Sequence, residues 1–345
     1  MVPLTPIYLL LTGLNKKNEM SKIYNWAILG CGKIAKKFSK ELKLIPNANL
    51  YAAASRDFEK AKTFSKEFGF EKAFGSYHQM VNDPKVDIVY VATPHNFHLE
   101  HTLLCLQNKK AVLCEKAFAI NSKEVMQMIK ASKKNNTFLM EAFWVIFRPK
   151  FKKVKTLITS ENLGKLKFVK SDFMFKAEYN PKNRLYNVNL GGGSLLDIGI
   201  YPVFTALNLL GIPDKIGTTP HFSPTGSEES ISMLFGYKNG ATAALTSSFD
   251  ATYKNDTELV FENGIIKYER FSKDPIILVK DGKQKEIHFD AGPNMGYQFE
   301  AIHVMECLDK NLIESPILTN QLSLNLINIL DDVRKEAGIT FPNHD

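Results

Sequence analysis

Three short stretches carry residue types whose spacing could do chemistry. Gly30-Cys31-Gly32-Lys33-Ile34-Ala35 has two glycines and then a small residue: a tight turn, a place where backbone can approach a pyrophosphate, and room for close helix–strand packing. A helix starting there would offer its free N–H groups to the anion. Cys114-Glu115-Lys116 ends an apolar run, which sets a lysine at the carboxyl edge of a sheet, where open α/β folds bind ligands. A lysine in that position is ordinarily a snorkelling surface residue; a neighbouring nicotinamide site argues for a role in chemistry. Gly191 to Tyr201 supplies three glycines that can lie against a ligand, Ser194 as an N-cap, and Asp197 and Tyr201 four apart on one helix face. The plain alternative for that last pair is a first-turn acid and a core-edge tyrosine.

The elements that must position these groups follow from hydrophobic patterning. Ile23 to Leu29 reads as a buried strand, followed at once by the glycine turn and a helix to about Leu44. Strands at Leu50 to Ala54, Val86 to Ala92, Ala111 to Cys114 and Phe138 to Met140 alternate with helices at Phe58 to Phe68, His98 to Lys109 and Ser122 to Asn135. That alternation predicts an α/β fold with an N-terminal doubly wound parallel Rossmann sheet. After Pro149 and a basic amphipathic helix, the pattern changes to strands joined by Asn239-Gly240, Asn263-Gly264 and Asp281-Gly282 turns. The expectation there is a C-terminal α+β domain on a large, mostly antiparallel open sheet, with helices from Ser194 to about Leu210, Gln298 to Asp309 and Gln321 to Ala337. The divisions expected are an extension over 1–20, a dinucleotide-binding domain over 21–143, and a second domain over 144–345 whose last helix packs back on the first domain.

Cofactor choice is read at the end of the second strand. An NAD-selective protein usually places an acid there for the ribose hydroxyl, and this chain has Ala54-Ser55-Arg56-Asp57. Ser55 can donate to a phosphate and Arg56 can clamp one, which favours NADP. Asp57 keeps NAD open.

Composition bounds the rest. With 345 residues, 44% hydrophobic and 23% charged, the chain is an ordinary globular protein long enough for two cores. The four cysteines are too scattered for a disulfide framework, and a reducing cytoplasmic home is the simplest reading. The apolar run Ile7 to Leu11 is too short to span a bilayer and lacks the flanks of a secretory signal, so no membrane is expected. No histidine pairs with cysteines or acids in a zinc pattern, so no metal is expected. The net charge of +8 is local: eleven basic and three acidic residues lie between Arg148 and Arg184. No helix-turn-helix or aromatic-basic signature accompanies it, which argues against a nucleic-acid partner. Its lysines read most simply as a solvated helix face, part of which could steer an anionic ligand towards a cleft.

Taken together, the glycine fingerprint, the Glu115-Lys116 pair and the Gly191 to Tyr201 segment resemble the glucose-fructose oxidoreductase, or Gfo/Idh/MocA, family. Glu141-Ala142-Phe143-Trp144 is similar to its branch of dimeric dihydrodiol dehydrogenases and NADP-dependent D-xylose dehydrogenases. The resemblance runs from about Ile23 to about Pro342. It implies that Lys116 is the catalytic lysine, Asp197 a substrate-orienting acid, and Tyr201 the residue where relatives carry Tyr or His. Thr93, Pro94, His95 and His98 look like the family's loop beside the nicotinamide. Two departures stand out: Ala117 replaces the proline of a Glu-Lys-Pro pattern, and Ile146 stands where relatives often carry Arg, with Arg148 nearby as the substitute substrate contact beside Trp144.

The activity implied is reversible hydride transfer between NADP and a hydroxyl-bearing carbon of a sugar, cyclitol or dihydrodiol. A base must then reach the hydroxyl proton. Tyr201 can serve only if its pKa falls well below about 10, helped by the Lys116 cation; otherwise Lys116 itself is the acceptor. A non-catalytic NADP-sensing regulator on the same fold is the rival. The resemblance also makes 144–345 the substrate-binding and dimerisation domain, and implies a homodimer or homotetramer, joined through the open sheet.

Overall fold

The computed structural model describes residues 22–342 and 344–345. The expected extension over 1–20 lies outside them. Among the described residues the chain begins with β1 (Tyr24–Leu29), α1 (Lys33–Leu42), β2 (Ala48–Ala54), α2 (Phe58–Phe68), β3 (Lys72–Phe74), α3 (Tyr77–Val81) and β4 (Ile88–Val91). It continues with α4 (His98–Gln107), β5 (Ala111–Glu115), α5 (Ser122–Asn135) and β6 (Leu139–Ala142). These six strands form one parallel sheet in the order β3-β2-β1-β4-β5-β6, the doubly wound order of a dinucleotide fold. β1, β4 and β5 are almost wholly buried because helices cover both faces, which is why they read as unbroken apolar runs.

The second half comprises α6 (Pro149–Ser160), β7 (Leu166–Met174), α7 (Ile200–Leu210), β8 (Lys215–Phe222), β9 (Glu228–Gly236), β10 (Thr242–Ser248), β11 (Asp256–Phe261), β12 (Gly264–Glu269), β13 (Ile276–Lys280) and β14 (Lys283–Ile287). The eight strands make one sheet in the order β14-β13-β12-β11-β7-β10-β9-β8. All its neighbours are antiparallel except β7 and β10. Alternation is plain on β11, where Thr257, Leu259 and Phe261 are buried and the residues between them are half-buried. One face packs on α7 and α9 (Asn320–Ala337), and α9 also packs on α5 of the first sheet, after α8 (Tyr297–Asp309) has packed on α1. The stretch from Val188 to Leu210 is apolar enough to cross a membrane by length and composition, yet 83% of its most apolar window is buried inside the molecule, where it serves as core.

Three expectations shift. The helix expected from Ser194 begins as a single π turn, Leu195–Gly199, before α7. β8, an edge strand not expected from the sequence, holds Pro220, which an edge tolerates because it has one bonded neighbour. The lysines of α6 are not all solvated. Lys152 and Lys155 are exposed, whereas Lys150 is buried and donates to Glu269 O at 2.8 Å and Ser272 Oγ at 3.0 Å. Burial and then the Arg148 cation lower its pKa to about 8.

Candidate active site

The carboxyl ends of β1, β4 and β5 and the α7 side of the second sheet enclose a cleft of about 830 Å³. Its first end is built mainly by backbone. Gly30 has φ +100°, and a Cβ there would meet Thr93 Cγ2 at 2.9 Å and Ala92 O at 3.0 Å, so the turn closes against the Thr93 loop only with glycine. Gly32 is the N-cap of α1, no side chain caps the helix, and its first turn holds no acid. Its first N–H groups are therefore free for an anion. Lys33 and Ile34 line the cleft as expected, while Ala35 is fully buried and serves the helix–strand packing instead.

The adenosine end adds cations. Ser55, Arg56, Lys37 and Lys60 line it, and Arg56 lies over the Phe97 ring at 5.4 Å. Asp57 does not line it: its carboxylate accepts the Lys60 N–H at 3.2 Å as the N-cap of α2. The donor set fits a phosphorylated dinucleotide: free helix N–H groups for the pyrophosphate, and a serine, an arginine and lysines with no competing acid at the ribose position.

The second end is built by side chains from distant parts of the chain. Lys116, just past β5, reaches across to donate from Nζ to Asp197 O at 2.6 Å and Oδ1 at 3.4 Å. Arg184 also binds Asp197, with Nη1 and Nη2 at 3.1 Å from Oδ1 and Nη2 at 3.2 Å from Oδ2. Burial alone would raise the Asp197 carboxyl, but the Lys116 and Arg184 cations outweigh it and hold it well below the usual range. The Lys116–Ala117 peptide is cis.

Tyr201 lies one helical turn on, its ring packed among Phe143, Phe173 and Phe271. Trp144 Nε1 donates to its hydroxyl at 3.0 Å. Lys116 Nζ sits 5.3 Å from the ring centroid, over the face. Burial and then the Glu115 charge push the phenol pKa up. That direction runs against the expectation that the Lys116 cation draws the phenol towards a phenolate: Tyr201 is held protonated and can donate.

The histidine loop also rearranges the expectation. Thr93, Pro94 and His95 line the cleft. His95 spans Lys116 O and Gly191 O, each at 3.2 Å, and burial, then His98, lowers its pKa to about 3, so it is neutral. His98 does not reach the cleft: it is fully buried, its ring nitrogens 2.8 Å from Thr93 O and Ala117 O. A 3₁₀ turn, His95–Phe97, precedes α4 and turns His98 inwards, so that His101, one turn along, faces the cleft in its place and bonds Thr93 Oγ1 at 3.0 Å.

Glu115 lines the cleft, accepting from the Tyr90 hydroxyl and from Lys116 N at 3.2 Å. Trp144 lines it as well. Arg148 does not, because it is spent as a buried tie, donating to Arg270 O at 2.7 Å and Phe271 O at 3.3 Å while lying over Trp144. Arg184, Phe173, Phe271 and Tyr297 complete the site. Sequence spacing did not single them out; Arg184 was visible only as one cation of the basic stretch. Among the described residues no group of three His, Cys, Asp or Glu is placed to hold a metal.

Residues 24–143 match the oxidoreductase family with an NAD-binding Rossmann fold, and residues 151–267 match the Gfo/Idh/MocA C-terminal domain. The chain therefore belongs to the Gfo/Idh/MocA oxidoreductase family. Among individual relatives it is 36% identical over 330 residues to trans-1,2-dihydrobenzene-1,2-diol dehydrogenase of Xenopus laevis, covering 92% of this chain and 99% of that one. It is 34% identical to the Homo sapiens enzyme of the same name, covering 92% and 98%. The fold matches the crystal structure of aldose-aldose oxidoreductase from Caulobacter crescentus complexed with glycerol, with TM-score 0.84, 24% identity and coverage of 92% and 98%. A 3-ketoreductase from Actinomadura kijaniata, in complex with NADP and TDP-benzene, matches equally at 0.84, with 23% identity and the same coverage.

Proposed function

We propose that this chain is an NADP-dependent dehydrogenase interconverting a secondary hydroxyl of a cyclic vicinal diol, sugar or related polyol with its carbonyl. The observation that carries the reading is the Lys116 ammonium, anchored on Asp197 inside an aromatic-walled bay that adjoins the glycine turn. The nicotinamide group, when bound, takes up or returns the hydride.

As the ammonium, Lys116 gives the proton to the substrate oxygen in carbonyl reduction and stabilises negative charge building there; in hydroxyl oxidation the same nitrogen, as the amine, takes the proton. Tyr201 donates its hydroxyl hydrogen to the same oxygen, while its own oxygen accepts from Trp144 Nε1. Asp197 fixes the lysine and, through its carboxylate, accepts from a second hydroxyl, which a diol has and a simple alcohol lacks. Trp144, Phe173, Phe271 and Tyr297 exclude water and pack on the flat face of the ring. Ser55, Arg56 and Lys60 would hold a 2′-phosphate, so NADP is preferred to NAD.

The names of the relatives put trans-1,2-dihydrobenzene-1,2-diol at the head of a panel that continues through pentoses, hexoses and cyclitols. Incubated with NADP and with NAD, the enzyme should raise absorbance of the reduced cofactor with NADP. Cofactor binding with no turnover across the panel would instead identify a cofactor-sensing regulator.

The open face of the large sheet is proposed to join two copies. Phe168, Val260, Ile265 and Val279 stand directly opposite one another across β7, β11, β12 and β13 and make one apolar row on that face. Light scattering should show a dimer or a tetramer, and Val260→Asp should dissociate it. The four buried free cysteines support a reducing, cytoplasmic setting.

A further inference from the structure

The π turn that carries Asp197 and leads to Tyr201 has no side-chain cap within its own sequence. It is met instead by an acid from the large sheet. Glu228, the first residue of β9, is fully buried, and its Oε1 accepts the Leu195 N–H at 2.5 Å. Its second oxygen has no partner among the described residues. Gly193 has φ +130°, and a Cβ there would overlap this carboxyl group, so the glycine before the turn is what admits the acid. The next residue is pinned as well: Ser194 Oγ lies 2.9 Å from Ser247 Oγ on β10. Gly199, at the far end of the turn, lies so close to Ser247 that a Cβ would come within 2.8 Å of its oxygen.

A buried, half-satisfied carboxyl group is costly to a fold, and this one contacts neither the cleft nor a cation at bonding distance. π turns concentrate at functional sites, where the wider winding aims a side chain that a regular helix would misplace. We propose that Glu228 is a positioning residue: by gripping the start of the π turn it fixes where Asp197 holds Lys116 and where Tyr201 presents its hydroxyl. This rests on the catalytic reading given above.

Burial is the largest influence on the Glu228 carboxyl and raises its pKa to about 8, against the pull of the Leu195 N–H. The turn faces it with the Leu195 and Ser194 N–H groups, and α9 faces it with the Arg334 guanidinium. Below that pH the uncharged acid still accepts from Leu195. Above it, a buried anion with one unpartnered oxygen sits beneath a turn that already carries the Asp197 charge, and turnover acquires a limb near pH 8.

Glu228→Gln keeps the shape and the acceptor but cannot ionise, whereas Glu228→Ala removes the grip. The readouts are kcat and KM with NADP and trans-1,2-dihydrobenzene-1,2-diol from pH 6 to 10, NADP affinity by fluorescence, and amide hydrogen exchange across residues 193–201. Glu228→Ala should lose about tenfold to a hundredfold in kcat, on the scale of misplaced catalytic groups, with NADP affinity unchanged and faster exchange in the turn. Glu228→Gln should recover to within about threefold of the parent, on the same scale, and lose the pH 8 limb. Parent-like kcat and exchange in Glu228→Ala, or a Glu228→Gln no better than Glu228→Ala, overturns the proposal. Should Glu228→Ala fail to fold, a pH 8 limb persisting in Glu228→Gln overturns it; should the diol not turn over, exchange at Leu195 decides. Lys116→Met measured alongside separates the two readings. Full activity in that variant removes the catalytic assignment, whereas its loss beside an unaffected Glu228→Ala removes only the role of Glu228.

Discussion

The two ends of the cleft are made by different means. At the cofactor end the contacts come from two short, continuous pieces of chain, Gly30 to Lys37 and Ser55 to Lys60, each a strand end, a turn and a helix start. Backbone N–H groups and flexible cations do the work, and apart from the close packing of Gly30 on the Thr93 loop each contact stands by itself. At the substrate end Lys116, Trp144, Phe173, Arg184, Asp197, Tyr201, Phe271 and Tyr297 converge from both sheets, and each is held by another: Lys116 by Asp197, Asp197 by Arg184, Tyr201 by Trp144. Apart from Gly30, which must stay glycine, the first end is made of separate contacts, while the other is a mesh in which one substitution moves several groups.

The largest break in that contrast should come at the mesh. Lys116→Met is expected to lower kcat by about a hundredfold or more, the scale of general acid–base catalysis, while NADP affinity measured by equilibrium binding stays near that of the parent. Equal losses in both would mean that the two ends are not separable. At the cofactor end, Arg56→Ala should weaken NADP by about tenfold, the value of one charge-assisted contact at an exposed site, and leave NAD nearly unaffected. A parallel loss with both nucleotides would move the 2′-phosphate site away from Arg56. The smallest effect is expected from Asp57→Ala. It removes a helix cap worth about 1 kcal/mol, lowering the melting temperature without altering the ratio of NADP to NAD affinity, because the carboxylate is committed to Lys60 N–H. A changed ratio would return Asp57 to the ribose.

The same contrast explains what could be read in advance. Gly30, Gly32, Ser55 and Arg56 were legible because their function depends on local backbone and immediate neighbours. Lys116, Asp197 and Tyr201 were legible as a set only because they sit at a strand end and a helix start, and the resemblance to a known family joined them. The rest turned on local changes of backbone course that residue types do not encode. One 3₁₀ turn exchanges His98 for His101 at the cleft wall. The extended backbone of Arg148, ahead of α6, sends its guanidinium to the Arg270 and Phe271 carbonyls just past β12 and not to the substrate bay, and Arg184 takes the open position from a loop with no periodicity. β8 escaped notice because Gly217 and Pro220 make an edge strand look like a turn.

The hydrogen bond from Trp144 to Tyr201 has a spectroscopic consequence. The chain has two tryptophans. Trp26 is sealed in the core of the first sheet, and Trp144 stands in the cleft wall with its indole N–H on the Tyr201 hydroxyl. Emission from the first is a fixed internal standard, while that from the second senses whatever enters the bay. The protein thus carries its own optical gauge of site occupancy, and Trp144→Phe is the control that silences it.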